Sequence, residues 1–450
     1  MILPPSQSDK GIQMRLGILL LVFLLCLWGC KDETVSPHRV GTVDLSVDDI
    51  GTTEAYLRIH LSGAASYGFV LTRDGQLVMS AASSPADTTV IDEPLLPGRT
   101  YSYQAYRLSG SAPVDSSGKV QARTMDSTSH NFQWTVDTLG VAYSILWDCQ
   151  IISENDIWIV GVFYELDSLG NVESQPHNAA HWDGTRWTAI RVQFHTICGQ
   201  SDLTPYPASS ALAFGTGDIW IAIDGSQVAR WIGSEQQSAT CLPFSFSIRK
   251  LWGPQQTSIY AVGDAGSIAY YNGTAWQKVE SGTSVDVQDV WGGTNRNVGT
   301  NVAMFAASNE YTAGEKKLLR VNSSGVLDEF PWPMQDRRLH SVWFSANSPL
   351  YVCGGGIFVW KGLAWKEITE VPLIFTNRIR GNAENDIFVV GDFGLVAHGN
   401  GSTWHVYSQF GMQGVYHSLD VKRNTMIAVG EITVSGNSTR GIVLRGTRSQ

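Results

Sequence analysis

Charge is scarce in this 450-residue chain: Asp, Glu, Lys and Arg make up 16% of it. What charge there is leans acidic, 41 Asp and Glu against 31 Lys and Arg, for a formal net of −10. A nucleic-acid binder needs a basic surface to displace phosphate counterions, so the balance argues against that class. Helical periodicity is equally scarce, although 43% of residues are hydrophobic and the chain has the composition of a globular protein. No C-x-x-C spacing is present, which leaves zinc-finger and thioredoxin-type chemistry without support. H-E-x-x-H, G-x-S-x-G, phosphate-loop, dinucleotide-binding and calcium-loop patterns are missing too. The ten histidines are read as forming no metal site. "VCGGGIF" (352–358) is glycine-rich but lies between strand-like runs, so it reads as a close turn. No cofactor or metal is expected.

Glycine (45) and tryptophan (16) are abundant instead. Glycine suits many tight turns and tryptophan suits repeated sheet-on-sheet packing. With few helical stretches, they predict an all-β chain of two or three domains.

The amino-terminal segment reads as a targeting device. Residues 14–30, "MRLGILLLVFLLCLWGC", place an Arg before an apolar run and end in Gly-Cys. The apolar stretch Leu16–Trp28 would span about 20 Å as a helix, short of the roughly 30 Å hydrocarbon core. "LWGC" resembles the bacterial lipobox, with Trp28 an unusual occupant two places before the cysteine. The resemblance implies cleavage before Cys30 and lipidation of its thiolate. Met14 suits a signal start better than Met1. "KDE" (31–33) resembles the surface-export signal of some Gram-negative lipoproteins. The expectation is a signal peptide over 1–30, a tether over 31–38 and an outer-membrane lipoprotein displayed at the cell surface. Of the later cysteines, Cys198 and Cys241 lie in polar stretches and could pair, whereas Cys149 and Cys353 adjoin apolar strands and read as buried thiols.

Residues 39–126 alternate apolar and polar positions in short runs such as "AYLRIHL" (55–61) and "TYSYQAYRL" (100–108), the pattern of half-buried strands. "RDG" (73–75) is a hairpin signal, since Asp-Gly tolerates positive φ. "LLPGRTYSYQAY" (95–106) resembles the L-x-P-G-x-x-Y signature of fibronectin type III domains. That resemblance implies a sandwich with Leu95 in the core and Tyr101 tying down a corner through its hydroxyl. Such modules serve mostly as spacers, and no RGD motif is present.

A repeat organises residues 130–448. "SENDIWIVG" (153–161) returns as "AENDIFVVG" (383–391), with related runs between and after. Taking Ile157, Ile219, Ile259, Met304, Leu350, Ile387 and Met426 as equivalent, spacings after a first gap of 62 lie between 37 and 46 residues. A period near 40 with several strands per unit is propeller spacing. In the clearest unit (248–279), Asn272-Gly273 is read as a two-residue hairpin turn. The last unit supplies only three strands. "NFQWTVDTLG" (131–140) supplies the missing one, so an N-terminal strand over Phe132–Asp137 is expected to close the ring. The unit resembles the "VWG…DIYAVG…GxIxHYDGxxW" repeats of secreted bacterial propellers, often loosely described as sialidase-like or related to photosystem II assembly factors. The fold expected is therefore all-β, a fibronectin type III-like sandwich followed by a seven-bladed β-propeller closed by an N-terminal strand.

Candidate chemistry is thin. No loop carries an intact S-x-D-x-G-x-x-W box, and "NGTAW" and "DGTRW" share only Gly and Trp with it. Asp148, Asp224, Asp264, Asp289 and Asp392 are placed near turns, where Asp usually bonds local backbone. A paired-carboxylate hydrolase needs two acidic groups about 5–10 Å apart. No catalytic residue is assigned. Trp147, Trp252, Trp291 and Trp343 are placed at the ends of first strands, where they either pack between blades or form a rim that stacks on sugars or peptides. Arg380 and Asp420 hold that position in the last two units and point to a polar site or a plain ion pair. The function expected is a lipid-anchored binding or scaffold protein that recognises a protein or glycan partner with its propeller face. The alternative is a glycan hydrolase or lyase on the same face.

Overall fold

The computed structural model describes residues 42–63, 67–295, 298–308, 315–322, 324–346, 349–435 and 438–449. Cys30, the signal segment and the tether lie outside the described residues. Everything described is strand, turn and loop, apart from two short 3-10 turns at Asp264–Gly266 and Ser408–Phe410.

Two antiparallel sheets enclose the first core. Val43–Ile50, Ala55–Leu61 and Asp87–Asp92 form one. Gln76–Ser84, Tyr67–Arg73, Thr100–Ser109 and Ala112–Ser116 form the other, with Val120–Arg123 also on Thr100–Ser109. Their inward positions alternate with outward ones along each strand and converge on Leu57, Ile59, Phe69, Leu71 and Tyr103, all buried. Asp74 and Gly75 both take positive φ, 49° and 81°, and join Arg73 to Gln76 in a two-residue turn whose hand matches the strand twist. The Tyr101 hydroxyl accepts a hydrogen bond from the Leu96 amide at 2.9 Å, closing the corner before its strand.

The second region is a β-propeller. Among the described residues, seven successive antiparallel meanders follow from sheet to sheet. Their first strands are Ile145–Ser153, Ala208–Gly215, Ile248–Gln255, Val287–Asn295, Leu339–Trp343, Thr376–Ala383 and Gly414–Lys422. Each first strand contacts the next, and the last contacts the first, so the ring is closed. Sheet seven is completed by Phe132–Leu139, which pairs with Ser438–Arg448 near the chain's other end. That pairing removes an exposed edge that another chain could otherwise extend. In sheet two, two short segments, Glu235–Gln236 and Thr240–Cys241, replace a single outer strand. Cys241 is disulfide-bonded to Cys198 in the preceding insertion, while Cys149 and Cys353 remain buried thiols.

The hydrophobic cores lie between sheets, each fed by two neighbours. Val160 of sheet one meets Ile221 of sheet two, for example, and Phe388 of sheet six meets Leu444 of sheet seven. A sheet buried on both faces in this way needs near-continuous apolar strands, which is why "DIWIVG" and "DIFVVG" lack the strict alternation of the sandwich strands. The aspartate that opens each of these strands is tied across the sheet. Asp156 meets His181 at 2.9 Å, Asp218 meets Arg230 at 2.7 Å and Asp386 meets His398 at 3.1 Å. Asp156 also accepts from Thr216 of sheet two at 2.8 Å. The repeated "ND" is therefore a fastening between strands.

Three details differ from the sequence reading. Tyr271 and Trp276 face each other directly, so the loop at Asn272 has four residues rather than two. The Asn272 side chain accepts from the Thr274 and Ala275 amides, which stabilises the longer turn. Asp289 pairs with Ala306 where Asp148 pairs with Val160, so Ala303 and not Met304 is the counterpart of Ile157. Finally, Asp148 and Asp289 lie within strands and not at turns.

Candidate functional site

Every first strand carries a β-bulge at the same place, and the bulges organise the axis of the ring. The register slips between Leu146 and Asp148, and likewise just before Ser210, Lys250, Asp289, Ser341, Arg378 and Ser418. A bulge re-aims the side chain that follows it. The seven residues after the bulges form one tier, and each is at most 5% exposed.

This tier is a connected polar network in two halves. Asp148 accepts from Ser210 and Ser418, each at 2.7 Å, and from Lys250 Nζ at 2.6 Å. Asp289 accepts from Ser341 at 2.6 Å and from Arg380 at 2.7 and 2.9 Å, with Arg378 alongside at 2.5 Å. Burial works against ionisation of both carboxyls. The cations beside them win: Lys250 and Arg378 at Asp148, Arg378 and Arg380 at Asp289, and both pKa values lie below the usual range. Burial lowers the Lys250 pKa, with Asp148 opposing it. Each acid of the network is thus already occupied by cations and hydroxyls and is not free to act as a general acid or base.

Two positions further along each strand is a second tier: Gln150, Leu212, Trp252, Trp291, Trp343, Arg380 and Asp420. Sequence reasoning placed the last five here. Trp147 does not belong to this tier. It is the bulged residue itself, 37% exposed, with its ring 4.4 Å from that of His417. Gln150 holds its expected place, a residue the repeat pattern missed because Leu146-Trp147 imitates the Leu251-Trp252 pair three residues too early.

Arg380 is buried and packs its guanidinium 4.8 Å from the Trp291 ring centre. Its ion-pair partner is Asp289. Asp420 instead accepts from the Ile151 amide at 2.8 Å and its neighbour Val421 at 2.9 Å, and burial raises its pKa. The tryptophans behave differently from one another. Trp252 and Trp291 are half-buried with ring centres 6.3 Å apart. Trp291 donates from Nε1 to the Phe344 carbonyl at 2.7 Å. Trp343 is 1% exposed, and its Nε1 has no hydrogen-bond partner among the described residues. A cavity of about 280 Å³ opens between sheets four, five and six, bordered by Trp291, Gly292, Gly293, Trp343, Phe344 and Gly381, among others.

Two histidines, His340 and His417, are the bulged residues before Ser341 and Ser418, beside the axial network. His177 and His181 are four residues apart on one strand, and each pairs with its own carboxylate, Glu173 and Asp156. Asp264 and Asp392 bond the Ser247 amide and the Asn377 side chain.

No protein-family model matches the sequence, and no curated protein matches it significantly. Solved structures do align. The WD40 β-propeller domain of Doa1 is 12% identical over 69% of this chain and 96% of its own, with a TM-score of 0.44. Sqt1 of Saccharomyces cerevisiae is 10% identical over 70% and 100%, at 0.45. An auxiliary nutrient binding protein from Bacteroides ovatus is 10% identical over 70% and 96%, at 0.28. These values carry no conclusion about a ligand.

Proposed function

We propose that this chain is an extracytoplasmic binding protein, anchored by a lipid on Cys30, in which a fibronectin type III-like sandwich carries a seven-bladed propeller that recognises a protein or glycan partner on one face. The observation that carries the reading is the occupied axial network. With Asp148 and Asp289 tied to cations and serines, the axis is built for rigidity, and the exposed Trp147 with the half-buried Trp252 and Trp291 remain as surface for contact. Support for the sandwich comes from its two facing antiparallel sheets, of three and five strands, and the Tyr101 hydroxyl at the corner. Support for the blade count comes from the closed cycle of first-strand contacts.

The test has two parts. Cys30→Ser should move the protein from the membrane fraction to the soluble one and abolish incorporation of labelled palmitate. Retention in the membrane refutes the lipid anchor. Full-length protein should retain a partner on a glycan array or in a pulldown and show no hydrolysis of the same glycans. Turnover without retained binding refutes the binding role.

A further inference from the structure

The two ends of the ring are not equivalent. The sandwich and the segment after it hold the end where the first strands finish, at the turns of sheets five and six. Asn385 donates to the Asp126 carbonyl at 2.7 Å, Asn400 to the Thr128 carbonyl at 3.1 Å, and Lys361 meets Glu54 at 2.9 Å. At the end where the first strands begin, two exposed aromatic residues sit on strained backbone. Tyr143 has φ 65° and is 70% exposed, and Phe393 has φ 56° and is 68% exposed. The left-handed region disfavours a bulky residue, and neither ring is buried to offset that. The turn itself does not require an aromatic. Sheet three makes it with Asp264-Ala265-Gly266 where sheet six has Asp392-Phe393-Gly394, and Ala265 takes φ 50°. Strain kept without burial points to a contact outside the chain.

The two aromatics belong to one continuous surface. The Phe393 carbonyl accepts from the Met412 amide at 3.1 Å and Asp392 bridges to Val415, which joins that turn to sheet seven. From sheet seven, His417 lies against Trp147, and the Thr439 carbonyl accepts from the Ser144 amide at 3.2 Å, beside Tyr143. The Val141 amide donates to the Tyr164 carbonyl at 2.7 Å, where the insertion that exposes Leu169 begins. Exposed Leu373 lies in the loop that enters sheet six. Among the described residues, no exposed large apolar side chain at this end belongs to sheets three or four. Glu165, Asp202 and Glu370 stand on the same loops without an ion pair among the described residues, against Arg440 of opposite sign. We propose that this end, over sheets six, seven and one, docks a folded protein whose apolar contact surface carries a basic rim. Aromatic and leucine side chains inside a charged border have the composition of a protein interface. Leucines give a sugar ring no flat face to stack on, and carboxylates repel anionic lipid headgroups. The proposal rests on the reading of this chain as a binding protein and assigns its face and partner class.

In the full-length chain, produced in its native cells, p-benzoylphenylalanine replaces Phe393, Tyr143 or, as the control at the opposite end, exposed Leu363. Irradiation is expected to attach one and the same protein at 393 and 143 and not at 363. That protein, identified by mass spectrometry and purified, is then titrated with the parent and with variants. Phe393→Ala restores the turn that Ala265 already makes, and Tyr143→Asn suits its φ, so both should keep the parent's melting temperature. Each should weaken binding about tenfold, and Leu363→Ala should bind as the parent does. Affinity should also fall as salt is raised, because the rim charges are exposed. Absence of a protein adduct at 393 and 143, equal binding by the parent and both variants, or Phe393-dependent binding of an arrayed glycan or of phosphatidylglycerol vesicles overturns the proposal. If a partner attaches at 363 alone, this face falls and the binding role stands. If the full-length chain retains nothing at either end, both fall.

Discussion

Asp148 and Asp289 occupy the same strand position in different sheets, follow the same bulge and are equally buried, yet their partners differ in kind. Asp148 is held by one lysine and two serines, whereas Asp289 is held by two arginines and one serine. Lysine can lose its proton when its partner disappears, and arginine cannot. The repeat therefore preserves a backbone device, the bulge, while the charge placed on it has diverged from blade to blade. The half built on Asp289 is committed to charge at every accessible pH, and the half built on Asp148 is not.

Asp289→Asn should separate the two halves most sharply. It strands two buried guanidinium groups, and stability should fall by about 3–5 kcal/mol in chemical denaturation. That loss should stay flat between neutral and alkaline pH, because both arginines remain charged. Asp148→Asn should cost less, about 2–3 kcal/mol at neutral pH, because burial already lowers the Lys250 pKa and the amine can become neutral. Its deficit has a defined sign. The folded state then binds the Lys250 proton more weakly than the unfolded state, so stability should recover as pH rises toward the ordinary lysine pKa. Equal losses in both variants, or a deficit that deepens with pH in Asp148→Asn, would break the comparison.

A third buried acid, outside the axis, offers the smallest effect. Where the sandwich meets the propeller, Lys361 bridges Glu54 at 2.9 Å and Glu93 at 3.0 Å. Glu384 receives the Thr52 amide and hydroxyl. Burial first, and then the neighbouring Glu54 charge, raise its pKa to about 7. The folded state thus holds this proton more tightly than the unfolded chain. The Glu384 contribution should be greatest below the ordinary Glu pKa, decline as pH rises to about 7, and stay level above that. Glu384→Gln should remove that slope and raise stability at pH 8 by about 1–3 kcal/mol. A variant that keeps the parent's pH profile in thermal denaturation would place the titration elsewhere.

Much of the propeller was legible in the sequence because its signals are local and repeated. The "ND" turns, the apolar second strands and the Trp-bearing fourth strands each recur within one blade's length. Strand closure by residues 131–140 was legible for the same reason: the last unit ended one strand short and its missing piece stood elsewhere. The axis was less legible. The Leu146-Trp147 pair imitates Leu251-Trp252 three residues early, so Trp147 was aligned with the tier that Gln150 occupies, and a bulge leaves no mark in composition, so Asp148 and Asp289 were placed at turns. Arg380 and Asp420 were placed at equivalent strand positions, but the sequence offered no means of seeing that Arg380 reaches back to Asp289, 91 residues earlier.

By itself, the sequence determined the strand count per unit, the spacing of units and the apolar surfaces that stack sheet on sheet, because hydrophobic burial depends on periodicity along the chain and tolerates many partners. Only the tertiary structure decided which buried charges meet. Ser418 and Asp148 are joined across 270 residues by closure of the ring, and a hydrogen bond demands one partner at one distance and direction, which no local pattern encodes.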